Sequence, residues 1–449
     1  MGRDLTTGPI LQLLLAFAAP MILTNLVQQL YSTVDLIVIG QFMGNIGTVG
    51  VSTGSELVDF MTPFASAFAT GGQIYIAQVA GAKDQRRLKE AVGTLLTLLM
   101  AMSVAVLVGG FILHDSVLDM LNCPAEARAQ ATSYMLITAA GLPFVFGYNA
   151  VSAVLRGMGE SKRPLIFVSI AAVVNIFTDI LFVAAFKMEA AGTALATVLS
   201  QAGSFFAAFY YMFKHRDSFD FSLSFSFFRI KKEPLRLILK VGLPQLIRSF
   251  AVHGSMMWVK SNINVYGLVP SSTYSIGNKI ERFANVFVQG VDGAAGAMIG
   301  QNLGAKKPER VNGILWNTLA CNMFVAVVVI AVFLVFPKQL FALFTAEAEV
   351  IEFGVTFLQI MSVGMVIIAF SGCFKSIATG VGDATLCFIL GILDGVGRIL
   401  ACLIFYYVFQ QGVVSYFWGA AFCMLMPGLI SFFYFITGQW KKKKLLSES

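Results

Sequence analysis

The 449-residue chain is 57% hydrophobic and only 12% charged, with a mean hydropathy of +0.79. A soluble chain carries about 25% charged residues. A water-soluble enzyme, a disordered protein and a secreted disulfide scaffold are therefore excluded. Long apolar runs also exclude an outer-membrane barrel, whose strands alternate in polarity. A polytopic helical membrane protein remains.

A hydrocarbon core about 30 Å thick takes about 20 apolar residues per helix. Twelve such runs are predicted, at 10–40, 48–80, 91–113, 128–155, 164–186, 190–213, 236–266, 271–302, 312–336, 349–376, 386–409 and 414–438. Several exceed the bilayer thickness and must tilt, bend or project into water. The first run contains Asn25, Gln28, Gln29 and Asp35 and is not expected to be a cleaved signal peptide. Between the sixth and seventh runs, Phe219 to Phe227 alternates like a strand. Its aromatic residues suit an interfacial segment better than a sheet.

Basic residues set the orientation. The N-terminus, the loops after each even-numbered span and the Lys441–Lys444 tail collect most of the 31 Lys and Arg; Lys375 is counted with these loops. Only Arg128, Lys187 and Lys338 fall in the opposite loops. Both ends are therefore expected in the cytoplasm. This placement accounts for the net charge of +7 without nucleic acid. The lysine tail is expected to be a topogenic anchor, with anionic lipid as its alternative partner. The six cysteines form no CxxC or Cys/His cluster, and His114, His215 and His253 are far apart, so no metal or redox role is expected.

The chain repeats itself. Gln78-Val-Ala-Gly81-Ala82-Lys83 recurs as Gln301-Asn-Leu-Gly304-Ala305-Lys306, and Gly157-Met-Gly159 recurs as Gly380-Val-Gly382, both at an offset of 223 residues. Pro20 is matched by Pro244 at an offset of 224. Six spans per half is an even number, so the repeat is parallel. Such an arrangement predicts two lobes around a central cavity and alternating access. The expected division is 1–213 for the first lobe, 214–235 for the inter-lobe loop and 236–449 for the second lobe. The glycine motifs are helix stops and not phosphate loops, since no strand precedes them and GxxxxGK[ST] is absent.

Pro20, Tyr31-Ser-Thr-Val-Asp35, the repeated Gln-x-x-Gly-Ala helix ends, the Leu155-Arg156-Gly157-Met-Gly159 turn and the 6+6 helices resemble the MATE family of multidrug and toxic compound extrusion antiporters, in its DinF-like and MepA-like branch. The resemblance covers nearly the whole chain. It implies a V-shaped two-lobe fold of the MOP type. It also implies export of amphipathic compounds driven by inward H⁺ or Na⁺.

A charge inside the membrane is costly, which makes each one a functional candidate. Asn175 and Asp179 lie one helical turn apart on one face. With Asp35 and Thr197 they offer oxygen ligands for Na⁺ or a site for a proton. The resemblance assigns the first-lobe cation site to Asp35, Asn175, Asp179 and Thr197. Thr193 is a neighbouring alternative. Pro20 permits a bend in the first helix. Glu56 and Asp59 form either an outer vestibule or interfacial acids.

The second half departs from NorM-like members, which carry acids in helices 7 and 10. Here Lys260 and Arg282, with Glu281, are candidate cavity charges for anionic or zwitterionic compounds. Their alternative is burial in ion pairs with Glu281 or Asp292. Asp394 and Arg398 are expected to neutralise each other as an i,i+4 pair. The function expected is a secondary-active, mostly cationic-drug antiporter of the cell membrane. It needs no cofactor, and one chain suffices. The alternatives are a flippase for a lipid-linked precursor, a channel and a membrane-embedded enzyme. The acidic first lobe disfavours the flippase, the 6+6 symmetry the channel, and the lack of a catalytic constellation the enzyme.

Overall fold

The structure is a computed structural model that describes residues 4–42, 44–121, 123, 125–215, 227–345 and 347–443; of residues 31–42, 44–49, 52 and 59 it describes the backbone alone. The described residues are helical, with no strand among them. The first run comprises α1 (Ile10–Phe42), α2 (Gly44–Gly81), α3 (Gln85–Met120), α4 (Ala125–Gly157), α5 (Lys162–Asp179) and α6 (Glu189–Lys214). The second comprises α7 (Lys232–Asn264), α8 (Leu268–Gly304), α9 (Glu309–Val335), short α10 (Pro337–Ala342), α11 (Ala348–Val381), α12 (Ala384–Ile404), α13 (Val414–Phe422) and α14 (Leu425–Ile436). α13 and α14 together make the twelfth span. The alternating segment that begins at Phe219 lies outside the described residues, apart from Phe227.

Among the described residues, nine of the twelve spans are apolar and long enough to cross a membrane by composition alone. The other three are α2, α7 and α8. α2 is rich in Gly, Ser and Thr, and α7 and α8 carry Arg248, Lys260, Lys279, Glu281, Arg282 and Asp292. The polar helices are those that must be sheltered by their neighbours.

The repeat is written in the backbone. Lys83 and Lys306 adopt φ of 56° and 57°, Gly159 and Gly382 φ of 82° and 76°, and Lys187 and Gln410 φ of 54° and 51°. Each pair is separated by the same 223 residues. At the first two pairs the left-handed residue closes a helix C-terminus, with six-residue bonds from Asp84 N to Val79 O (3.3 Å) and Lys307 N to Asn302 O (2.8 Å) at the lysines, and from Glu160 N to Leu155 O (2.8 Å) and Asp383 N to Ala378 O (3.0 Å) at the glycines. The two glycines of each Gly-x-Gly motif have different jobs. Gly159 and Gly382 supply the left-handed turn. Gly157 and Gly380 sit inside close helix contacts, where a Cβ would lie 2.8 Å from Gln73 O and 2.7 Å from Ile299 Cβ. Both α5 and α12 continue into π-helix, at Ile180–Ala185 and Phe405–Phe409.

Two compact units form, one of Met1–Asp4 and Leu23–Gly242, the other of Leu5–Ile22 and Leu243–Ser449. A division at 213 and 236 assigns each helix whole to its own half. The units instead exchange the opening stretches of α1 and α7. In the second unit, Leu14, Phe17 and Ala18 of α1 are buried in a core with Met298, Ile314 and Phe374. Polar groups pin the preceding segment there: Asn302 Nδ2 donates to Leu5 O (3.0 Å), Lys307 Nζ to Thr6 O (3.0 Å) and Arg310 Nη2 to Gly8 O (2.9 Å). In the first unit, α7 approaches α2 so closely that a Cβ on Gly71 would meet Ile238 O at 2.6 Å. Pro20 lies two residues before the point where α1 changes unit, and Pro244 two residues after the point where α7 does.

Each unit is organised on one central helix. α4 packs on α2, α3 and α6 in the first unit; α11, its repeat equivalent, packs on α8, α9, α13 and α14 in the second. α9 is peripheral and turns Phe324, Val327 and Val328 outward, as a lipid-facing helix does.

The turn after α11 also holds the tail. Asp383 caps α12, accepting from Leu386 N (3.2 Å), and its other oxygen accepts from Tyr434 Oη (3.0 Å) and pairs with Lys443 Nζ (2.9 Å). Burial pushes this carboxyl up, but the Lys443, Leu386 and Tyr434 bonds outweigh it and hold Asp383 below its ordinary range. A depressed carboxyl stabilises the fold above its unfolded value of about 4, and that stabilisation is lost as pH falls through the folded value. Parent and Asp383→Asn proteins should therefore differ in detergent melting temperature by a constant amount above about pH 5, and converge as pH falls from about 4 through the lower folded value. A difference that persists in acid would show that the cluster does not depend on the carboxylate.

Candidate functional site

The first unit places Asn175 and Asp179 in the last turn of α5, at 1% and 0% exposure. They share a face because they are four residues apart. The α-helix gives way to π-helix immediately after Asp179. A π segment widens the turn and re-aims side chains. Its recurrence in α12 shows that it belongs to the repeated scaffold, onto which the Asn–Asp pair is added. α6 packs against α5 and carries half-buried Thr197 and fully buried Thr193. Ser204 Oγ donates to Phe167 O (3.1 Å) and ties the two helices together.

Both amide atoms of Asn175 and Thr197 Oγ1 are buried and make no hydrogen bond among the described residues. Between Arg163 and Lys214, the only basic residue in the sequence is Lys187, at the π-helical end of α5. The Asp35 side chain lies outside the described residues, though its backbone is in α1. Asp59 likewise lies outside them, and Glu56 is exposed. Pro20 is buried within α1.

The second unit differs from the sequence expectation. Asp394 does not pair with Arg398. It accepts from Arg248 Nε at 2.8 Å and from Lys375 Nζ at 2.9 and 2.7 Å. The i,i+4 rule considers only one helix, whereas α7 and α11 bring stronger partners from across the unit. Lys375 is therefore no loop residue. α11 continues to Val381, and the Lys375 side chain is only 11% exposed. Arg398 is buried, and its Nε has no hydrogen-bond partner among the described residues. Glu281 accepts from Asn285 Nδ2 (3.2 Å), and the charges that act on it are Arg398 and Arg282. No ion pair joins it to Lys260 or Lys279. Lys260, Lys279 and Arg282 are exposed.

Sequence reasoning did not find Asn285 and Asn322. Asn322, fully buried, donates through Nδ2 to Asp292 Oδ1 (2.8 Å) and to Ala369 O (3.2 Å). A polar residue in so apolar a helix as α9 was the signal available. Among the described residues, no three His, Cys, Asp or Glu side chains cluster as metal ligands.

A MatE family model matches residues 20–181 and again 244–404. The two matches are offset like the repeat. The chain is 28% identical over 448 residues to the probable multidrug resistance protein YpnP of Bacillus subtilis (strain 168), covering 99% of each. It is 21% identical over 388 residues to the multidrug export protein MepA of Staphylococcus aureus (strain MSSA476), covering 86% of this chain and 85% of that one. A multidrug resistance MATE family transporter of the MOP superfamily, solved in an outward-facing conformation, superposes with a TM-score of 0.90 at 20% identity, covering 98% of both chains.

The Arg248–Asp394–Lys375 triad predicts unequal costs. Breaking a buried ion pair strands a charge and costs about 3–5 kcal/mol. Asp394→Leu strands two cations, whereas Lys375→Met leaves Asp394 its bond to Arg248. Asp394→Leu should therefore lower the melting temperature in detergent more than Lys375→Met does. Equal losses would show that the three charges do not act as one unit.

Proposed function

The chain belongs to the MatE family of membrane transporters, and from that premise we propose that it is a secondary-active efflux antiporter. Its substrates are amphipathic, mostly cationic organic compounds. It exports them across the cell membrane in exchange for H⁺ or Na⁺, by alternating access and without a cofactor. Family membership makes it a transporter and not an enzyme. The names of its relatives, a multidrug resistance protein and a multidrug export protein, support the drug-like substrate class. One chain carries the whole repeat, so a monomer suffices. The loop charges support cytoplasmic termini.

The observation that carries this reading is the buried Asn175–Asp179 pair on α5, which packs against the helix that carries Thr197. A carboxylate, an amide oxygen and a hydroxyl are hard ligands that suit Na⁺. They also suit a proton, because burial disfavours the carboxylate charge. With Asp35 of α1 they form the coupling-ion site. Ion binding there favours a bend of α1 at Pro20, next to where that helix changes unit. Ethidium efflux from energised cells tests the reading. The parent should export the dye under an imposed pH or Na⁺ gradient, and Asp35→Asn and Asp179→Asn should each abolish that export. Well-expressed parent protein without gradient-driven efflux would overturn the antiporter reading. Efflux that survives both substitutions would displace the ion site.

A second reading is favoured by the exposed cations Lys260, Lys279 and Arg282 on α7 and α8. They suit the anionic group of an amphiphile, as in a flippase for a lipid-linked precursor. Lys260→Gln should then lower transport of an anionic dye several-fold and leave ethidium efflux intact. Unchanged anionic-dye transport would remove this reading.

A further inference from the structure

Beyond the first two turns of their helices, three acids lie in the spans of the second unit, and they are treated in two different ways. Asp394 receives two bases. Glu281 and Asp292 receive none: no Lys, Arg or His nitrogen among the described residues forms an ion pair with either. Each is held instead by an asparagine. Asn285 Nδ2 donates to Glu281 Oε1 at 3.2 Å, and Asn322 Nδ2 donates to Asp292 Oδ1 at 2.8 Å.

The two asparagines share a further property. Asn285 Oδ1 and Asn322 Oδ1 are both buried, and neither accepts a hydrogen bond among the described residues. An orphaned buried acceptor costs about 1–3 kcal/mol. Flipping the Asn322 amide does not relieve this, because its Nδ2 already serves both Asp292 and Ala369 O. A proton does relieve it. A carboxylic acid beside a primary amide closes a ring of two hydrogen bonds. The acid C=O accepts from the amide N–H, as the carboxylate already does here. The acid O–H donates to the amide oxygen, which is the atom left without a partner. One proton thus satisfies the orphaned acceptor and removes a charge from the membrane interior.

We propose that Glu281–Asn285 and Asp292–Asn322 are two proton-binding sites of the second unit, each an acid–amide pair that is complete only when the acid is protonated. The surroundings fit an acid that alternates between charged and neutral forms. The charged and titratable groups facing Asp292 are Lys375 of α11 and Arg248 of α7, with the Cys373 thiol. Those facing Glu281 are Arg398 of α12, Arg282 and Tyr274 of α8 itself, and the Cys423 thiol. Lys375 and Arg248 are already committed to Asp394. They therefore tolerate a charged Asp292 without requiring it.

Two observations separate these pairs from ordinary packing. First, α11 makes room for the acid. A Cβ on Gly372 would lie 2.0 Å from Asp292 Oδ2, so the carboxyl group occupies a niche that only glycine leaves open. Second, the repeat does not need the pairs. At the 223-residue offset, Glu281, Asp292 and Asn322 correspond to Val58, Ala69 and Leu99 of the first unit, and Asn285 to Thr62. The same scaffold folds there without either acid or either amide. The sites are distinct from the Asp179 site of the first unit, so this proposal goes beyond the antiport reading.

Infrared spectroscopy of the purified full-length protein, titrated with pH in H₂O and D₂O, tests the proposal. A protonated carboxyl group shows a C=O stretch that a carboxylate lacks, and this band shifts on deuteration. The parent should show such a band, with one component lost in Glu281→Gln and another in Asp292→Asn. Asp179→Asn should leave both components in place. Asn322→Leu should move the Asp292 component to higher wavenumber, because the acid C=O loses its amide donor. That variant keeps both acids, so it remains informative if Asp292→Asn fails to fold. Glu281→Gln and Asp292→Asn proteins that melt like the parent and keep its full carboxyl band would overturn the proposal. The readout requires no transport, so it is independent of the efflux assay.

Discussion

A carboxyl group inside a membrane-spanning helix must find a base, a cation or a proton, because the hydrocarbon offers no water to solvate its charge. The chain uses different answers in different places. Asp394 takes Arg248 and Lys375 and becomes a fixed structural charge. Asp179 is buried one helical turn from the Asn175 amide on α5, against which the helix carrying Thr197 packs. Glu281 and Asp292 are matched to amides. A base locks its acid in one state, since removing either charge strands the other. An amide is neutral and bonds to both forms of the acid. The choice of partner therefore separates acids that hold the fold from acids free to change protonation.

The repeat supplies the frame on which these choices are made. Its marks are backbone marks: paired left-handed residues at 83 and 306, 159 and 382, 187 and 410, and paired π segments after α5 and α12. The side chains on that frame have diverged. The position of Asn175 holds Arg398 in the second half, and that of Asp179 holds Cys402. A guanidinium thus stands where the first half offers an amide beside an acid. The second half thus carries a tethered cation at this position, and its acids stand elsewhere along α8.

Much of the fold was legible in the sequence because its causes are local. Apolar runs of spanning length locate the helices, and the recurring glycines mark the repeat. The burial of Asn175 and Asp179 was legible for the same reason, as their spacing puts both on one face. What was missed depends on partners distant in sequence. Asp394 had an arginine one turn away, yet it bonds to residues 146 and 19 positions off. Lys375 was counted with a loop because it stands at the end of the predicted span 349–376. The helix runs on to Val381, which keeps that lysine within the unit beside Asp394. The exchange of the opening stretches of α1 and α7 depends on packing partners distant in sequence, which composition does not name.

The exchanged segments also give the two prolines a physical setting. A proline within a helix removes one backbone hydrogen bond and leaves the chain freer to bend there. Each of the two lies two residues from the point where its helix changes unit. Upstream of Pro20, α1 is held by Met298, Ile314 and Phe374 and by the bonds to Thr6 and Gly8; downstream it carries Asp35. In the proposed coupling, a helix anchored at one end and carrying an acid at the other would transmit a change in that acid's charge through a compliant joint, and the hydrogen bond missing at Pro20 would set the place where the helix yields.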